Sequence, residues 1–320
     1  ERFKRIFNTL VRKIKDAGYI KAKDVQYMDS FLFLADVKLI SINSLISKAI
    51  KNLLDTIHKK DVEMENDAKK RDFELTEDEQ KTRFVFLVQK AQNLLASIKK
   101  NQKLEKETED ARGILARIIK ERAEISNAGE IRKKETKEEK DKIISMSDPD
   151  ARMMGKSDEV HPSYKSHVIM NKNRFITYTD VTLATVYDGH HAPHAVHELK
   201  HEGYKVPTCV GDTHYGDILF RKEMAGEETQ VIAPYRVNQV MNSCLTEDVM
   251  IKAWAYNHTK EYKLHRKKRS QIEPKQGEMK NLHGMKRAKF RGLGKVRTQN
   301  YLSAIVTNCK QFVARALLAG

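Results

Sequence analysis

The apolar positions change period along the chain. From Asp24 to Ala35 (DVQYMDSFLFLA) apolar residues alternate and then run together, which predicts a strand carrying an acid, Asp29, inside it. Between Ser41 and Ser147 the spacing turns helical, most clearly over Phe84–Ile98 and Ala111–Ile125. Only Gly113 and Gly129 interrupt that stretch, which is rich in Lys, Glu, Ala, Leu and Ile. It predicts two or three helices packed as a hairpin or coiled coil. Within it, Asp61–Glu79 is acidic and polar and Ile131–Lys142 is of mixed charge, so each reads as a loop or an exposed helix end.

All six prolines lie at or after Pro149, where the pattern changes again. Ser166–Asn171 and Phe175–Tyr187 are rich in Val, Ile, Thr and Tyr and flank Lys172-Asn173-Arg174, which predicts a β-hairpin. Pro193–His201 reads as a short helix, with Pro tolerated in its first turn. Val206–Val210 reads as a buried strand ending at Gly211-Asp212, Gly216–Met224 as a helix and Gln230–Pro234 as a strand. Ser270–Lys280 and Ser303–Leu318 read as the last helices.

Composition narrows the class. The chain has 320 residues and 40% hydrophobic content, which excludes a wholly disordered protein. It has no apolar run of about 18 residues, so no membrane span is expected. No signal peptide is visible, and the chain begins at Glu1, so an upstream part is expected. Cys209, Cys244 and Cys309 share no close spacing, which excludes a disulfide scaffold and a zinc finger and fits a reducing compartment. Lys and Arg number 60 against 44 Asp and Glu, a net charge of +16. The window Lys260–Arg297 holds 14 of those basic residues against Glu261, Glu273 and Glu278. Most of the excess therefore lies around Glu273 and points to a polyanionic partner.

Three acids stand in surroundings that suit chemistry. Asp29 lies in an apolar strand, where a carboxylate is costly unless paired or bound to a metal. Asp212 follows a buried strand, at the strand end where α/β sheets place ligands. Glu273 follows Arg266-Lys267-Lys268-Arg269. Three carboxylates on separate elements can hold two hard divalent cations and leave positions open for phosphate oxygens. From spacing alone, surface or capping acids are the plainer reading of the same three residues.

At these positions the chain resembles bacterial insertion-sequence transposases of the DDE type. Ser147-Asp148-Pro149-Asp150-Ala151-Arg152 is similar to the D-P-[DE]-A-R element that precedes the catalytic hairpin in one branch. Val210–Gly216 (VGDTHYG) is similar to the D-x-G-Y element around the second Asp, with His214 where Gly is usual. Arg269, Glu273 and Lys280 fit R-x3-E-x6-K, the later part of the Y-x2-R-x3-E-x6-K signature, with Arg266 at its Tyr position. His283-Gly284, Arg291-Gly292-Leu293 and Asn308 resemble the family's C-terminal tail, and Tyr27-Met28-Asp29-Ser30 its first Asp, with Phe31 replacing Thr. The likeness spans about 20–40 and 145–315.

The resemblance implies an α/β fold: a ribonuclease-H-like mixed sheet flanked by helices, with a long all-helical insertion after the first strand. It divides the chain into 1–20 (end of an upstream helical region), 21–40 with 150–320 (catalytic domain) and 41–149 (helical or coiled-coil insertion). It implies Mg²⁺-dependent cleavage and strand transfer at element ends. Asp29, Asp212 and Glu273 would be both catalytic residues and ligands of two Mg²⁺, with Mn²⁺ as a substitute. DNA contacts would come from Arg266, Lys267, Lys268, Arg269, Lys280, Arg287 and Arg291, and His214, Tyr215 and Trp254 would be accessory. The partners would be double-stranded DNA, as terminal inverted repeats and target, and a second copy in a homodimer; the location would be the cytoplasm, at the nucleoid. The departures at Phe31, His214 and Arg266 leave one alternative, a catalytically decayed remnant that only binds DNA. A structural coiled-coil protein is a further alternative, one that leaves the C-terminal motifs unexplained.

The remaining features have plainer readings. His190-His191-Ala192-Pro193-His194-Ala195-Val196-His197 has metal-ligand spacing but reads as exposed histidines at a helix start. Asp188 reads as a turn or cap residue, Asp180 as pointing outward from its strand, and Trp254 and Tyr256 as core packing or a surface for base stacking.

Overall fold

A computed structural model of the chain describes residues 2–98, 104–134, 141–156, 159–234 and 248–319. Contacts divide it into two compact units, Glu1–Asp36 with Ser163–Gly320, and Val37–Pro162.

In the first unit β1 (Gln26–Leu34) is the middle strand of a mixed sheet. It pairs antiparallel with β5 (Glu159–Met170), which pairs antiparallel with β6 (Ile176–Leu183). On its other side β1 runs parallel to β7 (Thr208–Val210), and β7 runs parallel to β8 (Gln230–Ile232). The expected hairpin is thus present. Its turn is tied by Asn171, whose side-chain oxygen accepts from the backbone N–H groups of Asn173 and Phe175. β7 is shorter than the Val206–Val210 run because Val206 sits at φ 39° and Pro207 has no N–H to give the ladder.

Both faces of this sheet are covered. On one lies α6 (Asp188–His201); on the other lies the closing helix α11 (Leu293–Ala319), with α1 (Arg2–Asp16) packed against it. Two fully buried asparagines fasten α11 to the sheet. Asn300 accepts from the Ser166 hydroxyl at 2.8 Å and donates to Thr179 at 2.7 Å. Asn308 accepts from the Ile176 N–H and donates to its carbonyl. A sheet covered twice buries residues that strand alternation would send to solvent. Asp180 is therefore 7% exposed rather than outward-facing, and it is ion-paired to Arg297 at 2.9 Å.

The second unit packs α2 (Ile42–Thr56), α3 (Val62–Asp67), α4 (Glu77–Ser97) and α5 (Lys106–Arg122) around an aliphatic core including Leu45, Ile50, Leu53, Leu87 and Leu115. Thr76 and Glu79 form a reciprocal capping box at the start of α4. The segment Asp61–Glu79, expected as a loop or helix end, therefore contains a short helix and the start of a long one. The expectation of an all-helical insertion is corrected here. A two-stranded ribbon of β2 (Ala123–Ile125) and β3 (Ile131–Lys133) follows α5, and β4 (Arg152–Lys156) comes later. The ribbon is closed by a short turn in which Gly129 adopts φ 81°. The D-P-D-A-R element has a structural task in this unit. Arg152, 1% exposed, donates to Asp141 and to the carbonyls of Pro149 and Ala151. Residues 135–140 of the mixed-charge segment, and Cys244, lie outside the described residues.

Among the described residues no helix is long and apolar enough to cross a membrane. Cys209 is buried in β7 with its thiol pushed up to about 12 by burial, so it is no nucleophile at neutral pH.

Candidate active site

The parallel pairing of β1 with β7 places Tyr27 opposite Val210. Asp29 lies two residues further along β1, and Asp212 two residues past the end of β7, near enough for its charge to act on Asp29. Asp212 follows β7 and caps a short 3₁₀ turn, Thr213–Tyr215: one carboxylate oxygen accepts from the His214 N–H at 2.8 Å. The other lies 3.3 Å from His214 Nδ1. Gly211 allows this turn, because a Cβ there would lie 2.5 Å from the Tyr215 ring. The turn is held from behind by buried Arg221 on α7 (Ile218–Gly226), which donates to the carbonyls of Gly216, Val231 and Ala233.

Glu273 stands in the first turn of α10 (Ile272–Leu282), where Pro274 is tolerated because the first N–H groups of a helix have no intrahelical partner. Its side chain is 62% exposed. Arg269, the last residue of α9 (Lys260–Arg269), joins it to Asp29. One guanidinium nitrogen lies 3.1 Å from Asp29 Oδ2 and the other 3.5 Å from Glu273 Oε1. Lys280, one helical face with Glu273, extends over the Phe31 ring at 4.8 Å, so Phe31 in place of Thr gives a cation–π contact beside Asp29.

The pocket is electrostatically loaded. Asp29 is pushed up to about 6, first by burial and then by Asp212 and Asp188, against the opposing pull of Arg269 and the Ser30 N–H. The phenol of buried Tyr215 is held neutral by burial and by Asp188, Asp29 and Asp212. Ionised Asp29 therefore costs the fold something that a bound cation would offset. The sign follows from the raised value. The unfolded carboxyl loses its proton near 4 and the folded one near 6, so stability falls as pH rises between them. Asp29→Asn is accordingly expected to stabilise the metal-free protein at pH 7.5 by roughly 2–3 kcal/mol, with the gain vanishing at pH 4. Urea melts at the two pH values check this; equal stabilities at pH 7.5 would contradict it.

Asp188 is the residue that pattern reading misplaced. Tyr187, not Asp188, is the helix cap; Asp188 is 6% exposed and turned inward, 3.2 Å from Lys165 and 3.7 Å from His167 Nδ1. Gly189 permits this, since a Cβ there would lie 2.9 Å from the His214 carbonyl. Behind it, His167 stacks on His191 at 4.1 Å, and His191 meets the Tyr178 hydroxyl at 2.9 Å. Burial, and then neighbouring cations and histidines, keep both imidazoles neutral, with His191 lowered to about 4. The histidine run is thus split: His191 is buried, against the expectation of an exposed cluster, while His190, His194 and His197 are exposed, with His197 paired to Glu227.

The basic residues are less concentrated. Arg266, Lys267 and Lys268 are exposed along α9 ahead of Arg269. Arg287 sits where the chain bridges to Leu34 at the end of β1, and Arg291 binds Asp36 at 3.3 Å. Trp254 does not pack in the core: it is 47% exposed on α8 (Asp248–Asn257), with the His258 ring 4.4 Å away. Among the described residues no three His, Cys, Asp or Glu side chains come together at metal-ligand spacing. Arg269 is the cation between Asp29 and Glu273, and the donor set around it is hard carboxylate oxygen of the kind divalent cations take.

A family model described as a transposase DDE domain matches residues 131–309, more than half of the chain. The chain belongs to the DDE transposase family. The matched span contains Asp212 and Glu273, whereas Asp29 lies before it. DDE transposases act on DNA by phosphodiester cleavage and transfer and generally use divalent metal ions. No curated protein and no solved structure matches the chain.

Proposed function

We propose that this DDE transposase cleaves and transfers DNA strands at the ends of a bacterial insertion element, with Asp29, Asp212 and Glu273 as its catalytic carboxylates. The observation that carries the reading is the guanidinium of Arg269 that joins Asp29 to Glu273, supported by the pairing of β1, which carries Asp29, with β7, which leads into Asp212. The sheet order, with an antiparallel hairpin on one side of β1 and parallel β7 and β8 on the other, supports a ribonuclease-H-like fold.

The three carboxylates would hold two Mg²⁺, or Mn²⁺ in their place. Bound there, the ions would supply the Lewis acidity that activates a water or a 3′-hydroxyl and stabilises the leaving oxygen. The chain's own residues do the rest. β1 holds Asp29 on a central strand, and Arg221 anchors the turn after β7 that carries Asp212. Arg269 and Lys280 flank Glu273 and would meet the phosphates near the scissile bond. The exposed cations of α9 would hold the duplex through its backbone, a sequence-independent and salt-sensitive attraction. A homodimer on paired element ends would be the working complex.

The second reading, a protein that binds DNA without cutting it, is favoured by one observation: the three carboxylates are not gathered at ligand spacing. A nicking assay on supercoiled DNA carrying the element ends separates the two. The proposal expects strand breaks with Mg²⁺ or Mn²⁺ and none with a chelator. Binding without breaks in either metal would support the second reading.

A further inference from the structure

On the far side of α10 from Glu273 lies a second cation-rich recess. At about 100° per residue, Lys280 returns to the Glu273 face, while Lys275 and Glu278 point about 200° and 140° away from it. Those two side chains, with Arg174 from the β5–β6 turn and Lys310, Gln311 and Arg315 from α11, line an open pocket of about 500 Å³.

Three features of this pocket are hard to explain as packing. Lys275 is only 4% exposed, yet it is a lysine, bonded to Glu278 at 2.9 Å and Gln311 at 2.8 Å. Four cations, Arg174, Lys275, Lys310 and Arg315, line this pocket with one carboxylate, and burial, and then Arg174 and Lys310, hold the Lys275 ammonium below its usual range despite Glu278. Arg174 occupies a left-handed turn position, φ 67°, that ordinarily favours Gly, Asn or Asp, and its buried Nε has no hydrogen-bond partner among the described residues. Strain and repulsion held at one place point to a ligand that relieves them.

We propose that this pocket is a second phosphate-binding site, which grips the DNA backbone away from the catalytic carboxylates. The inference rests on the DNA-transposase reading for the identity of the polyanion. Glu278 does not defeat it. Burial would raise that carboxyl, but Lys275, His283 and Lys310 outweigh it and hold it down at about 2, so it stays ionised and its charge is already paired within the wall. Arg174 and Arg315 remain to meet an incoming phosphate, and a guanidinium suits bidentate contact with it.

The test uses Arg174→Gln combined with Arg315→Gln, both outside the packed core, and Lys275→Met separately. Duplex affinity is measured against salt for each and for the wild type. Loss of one phosphate contact should flatten the log K against log[salt] slope by about one unit, roughly a tenfold loss of affinity near 0.1 M salt. The double variant should show this with a melting temperature no lower than that of the wild type. Wild-type slope and affinity in the double variant would overturn the proposal whatever Lys275→Met does. Absence of DNA binding by the wild type would instead overturn the transposase reading. Inorganic phosphate, titrated as a probe, should raise the wild-type melting temperature and not that of the double variant. If phosphate stabilises the wild type but the variant binds DNA normally, the pocket takes a small free anion and the DNA assignment is overturned.

Discussion

Asp212→Asn and Glu273→Gln are each expected to lose metal-dependent strand cleavage by roughly 10³-fold or more, about 4 kcal/mol of barrier, while duplex binding is kept or slightly tightened. The two effects separate because the roles do. Each substitution removes one hard oxygen ligand charge from the centre and leaves every basic residue of α9 in place. It also removes a negative charge that repels phosphate. Asp212→Asn keeps an oxygen that can still accept from the His214 N–H, so the turn after β7 should survive. Cleavage is followed on labelled element ends with Mg²⁺ and binding by gel shift at fixed salt. Retained cleavage in both variants would remove these residues from the catalytic role.

The largest expected effect on stability lies in the helical unit. Arg83, 5% exposed, donates to both carboxylate oxygens of Asp67 at 2.9 Å, to the Asp67 carbonyl and to Asp72 at 2.6 Å. Burial alone would raise the Asp67 carboxyl, but the Arg83 hydrogen bonds outweigh it and hold the group below its usual range. Arg83→Leu strands a carboxylate that is itself 2% exposed, and removal of one partner of a buried pair costs about 3–5 kcal/mol. Arg83→Leu combined with Asp67→Asn should recover part of that, since the more deeply buried of the two carboxylates bound to Arg83 is then uncharged and only Asp72 loses its partner. Hydrogen exchange over α2–α5 is the appropriate readout. Unchanged protection in the single variant would contradict the argument.

Pattern alone located much of this architecture. β1, the β5–β6 hairpin, α6, α7 and the helix carrying Glu273 were all legible, because their period and their Gly, Pro and Asn punctuation agree. What escaped notice has identifiable physical causes. The β2–β3 ribbon has three-residue strands, too short for a period of two to show beside a helical neighbour. Asp180 and Asp188 are buried by partners far away in sequence, Arg297 and Lys165, and by a sheet covered on both faces. No alternation rule can supply that. The closing helix begins ten residues before Ser303, since Gly292 and Gly294 disguise its start. Trp254, read as core packing or a stacking surface, stands half in solvent on α8, because a sequence position alone does not say which face of a short helix is covered. At the candidate site, Asp29 was legible as an acid in an apolar run, but the bridge from Arg269 to two acids on different elements is a product of the fold.

The central claim is that Asp29, Asp212 and Glu273 form one divalent-cation centre. Anomalous diffraction from crystals grown with Mn²⁺ tests it most directly. The account predicts Mn²⁺ bound among the three carboxylates, with Arg269 withdrawn from between Asp29 and Glu273. Mn²⁺ at other residues only, with Arg269 still joining the two acids, would contradict it.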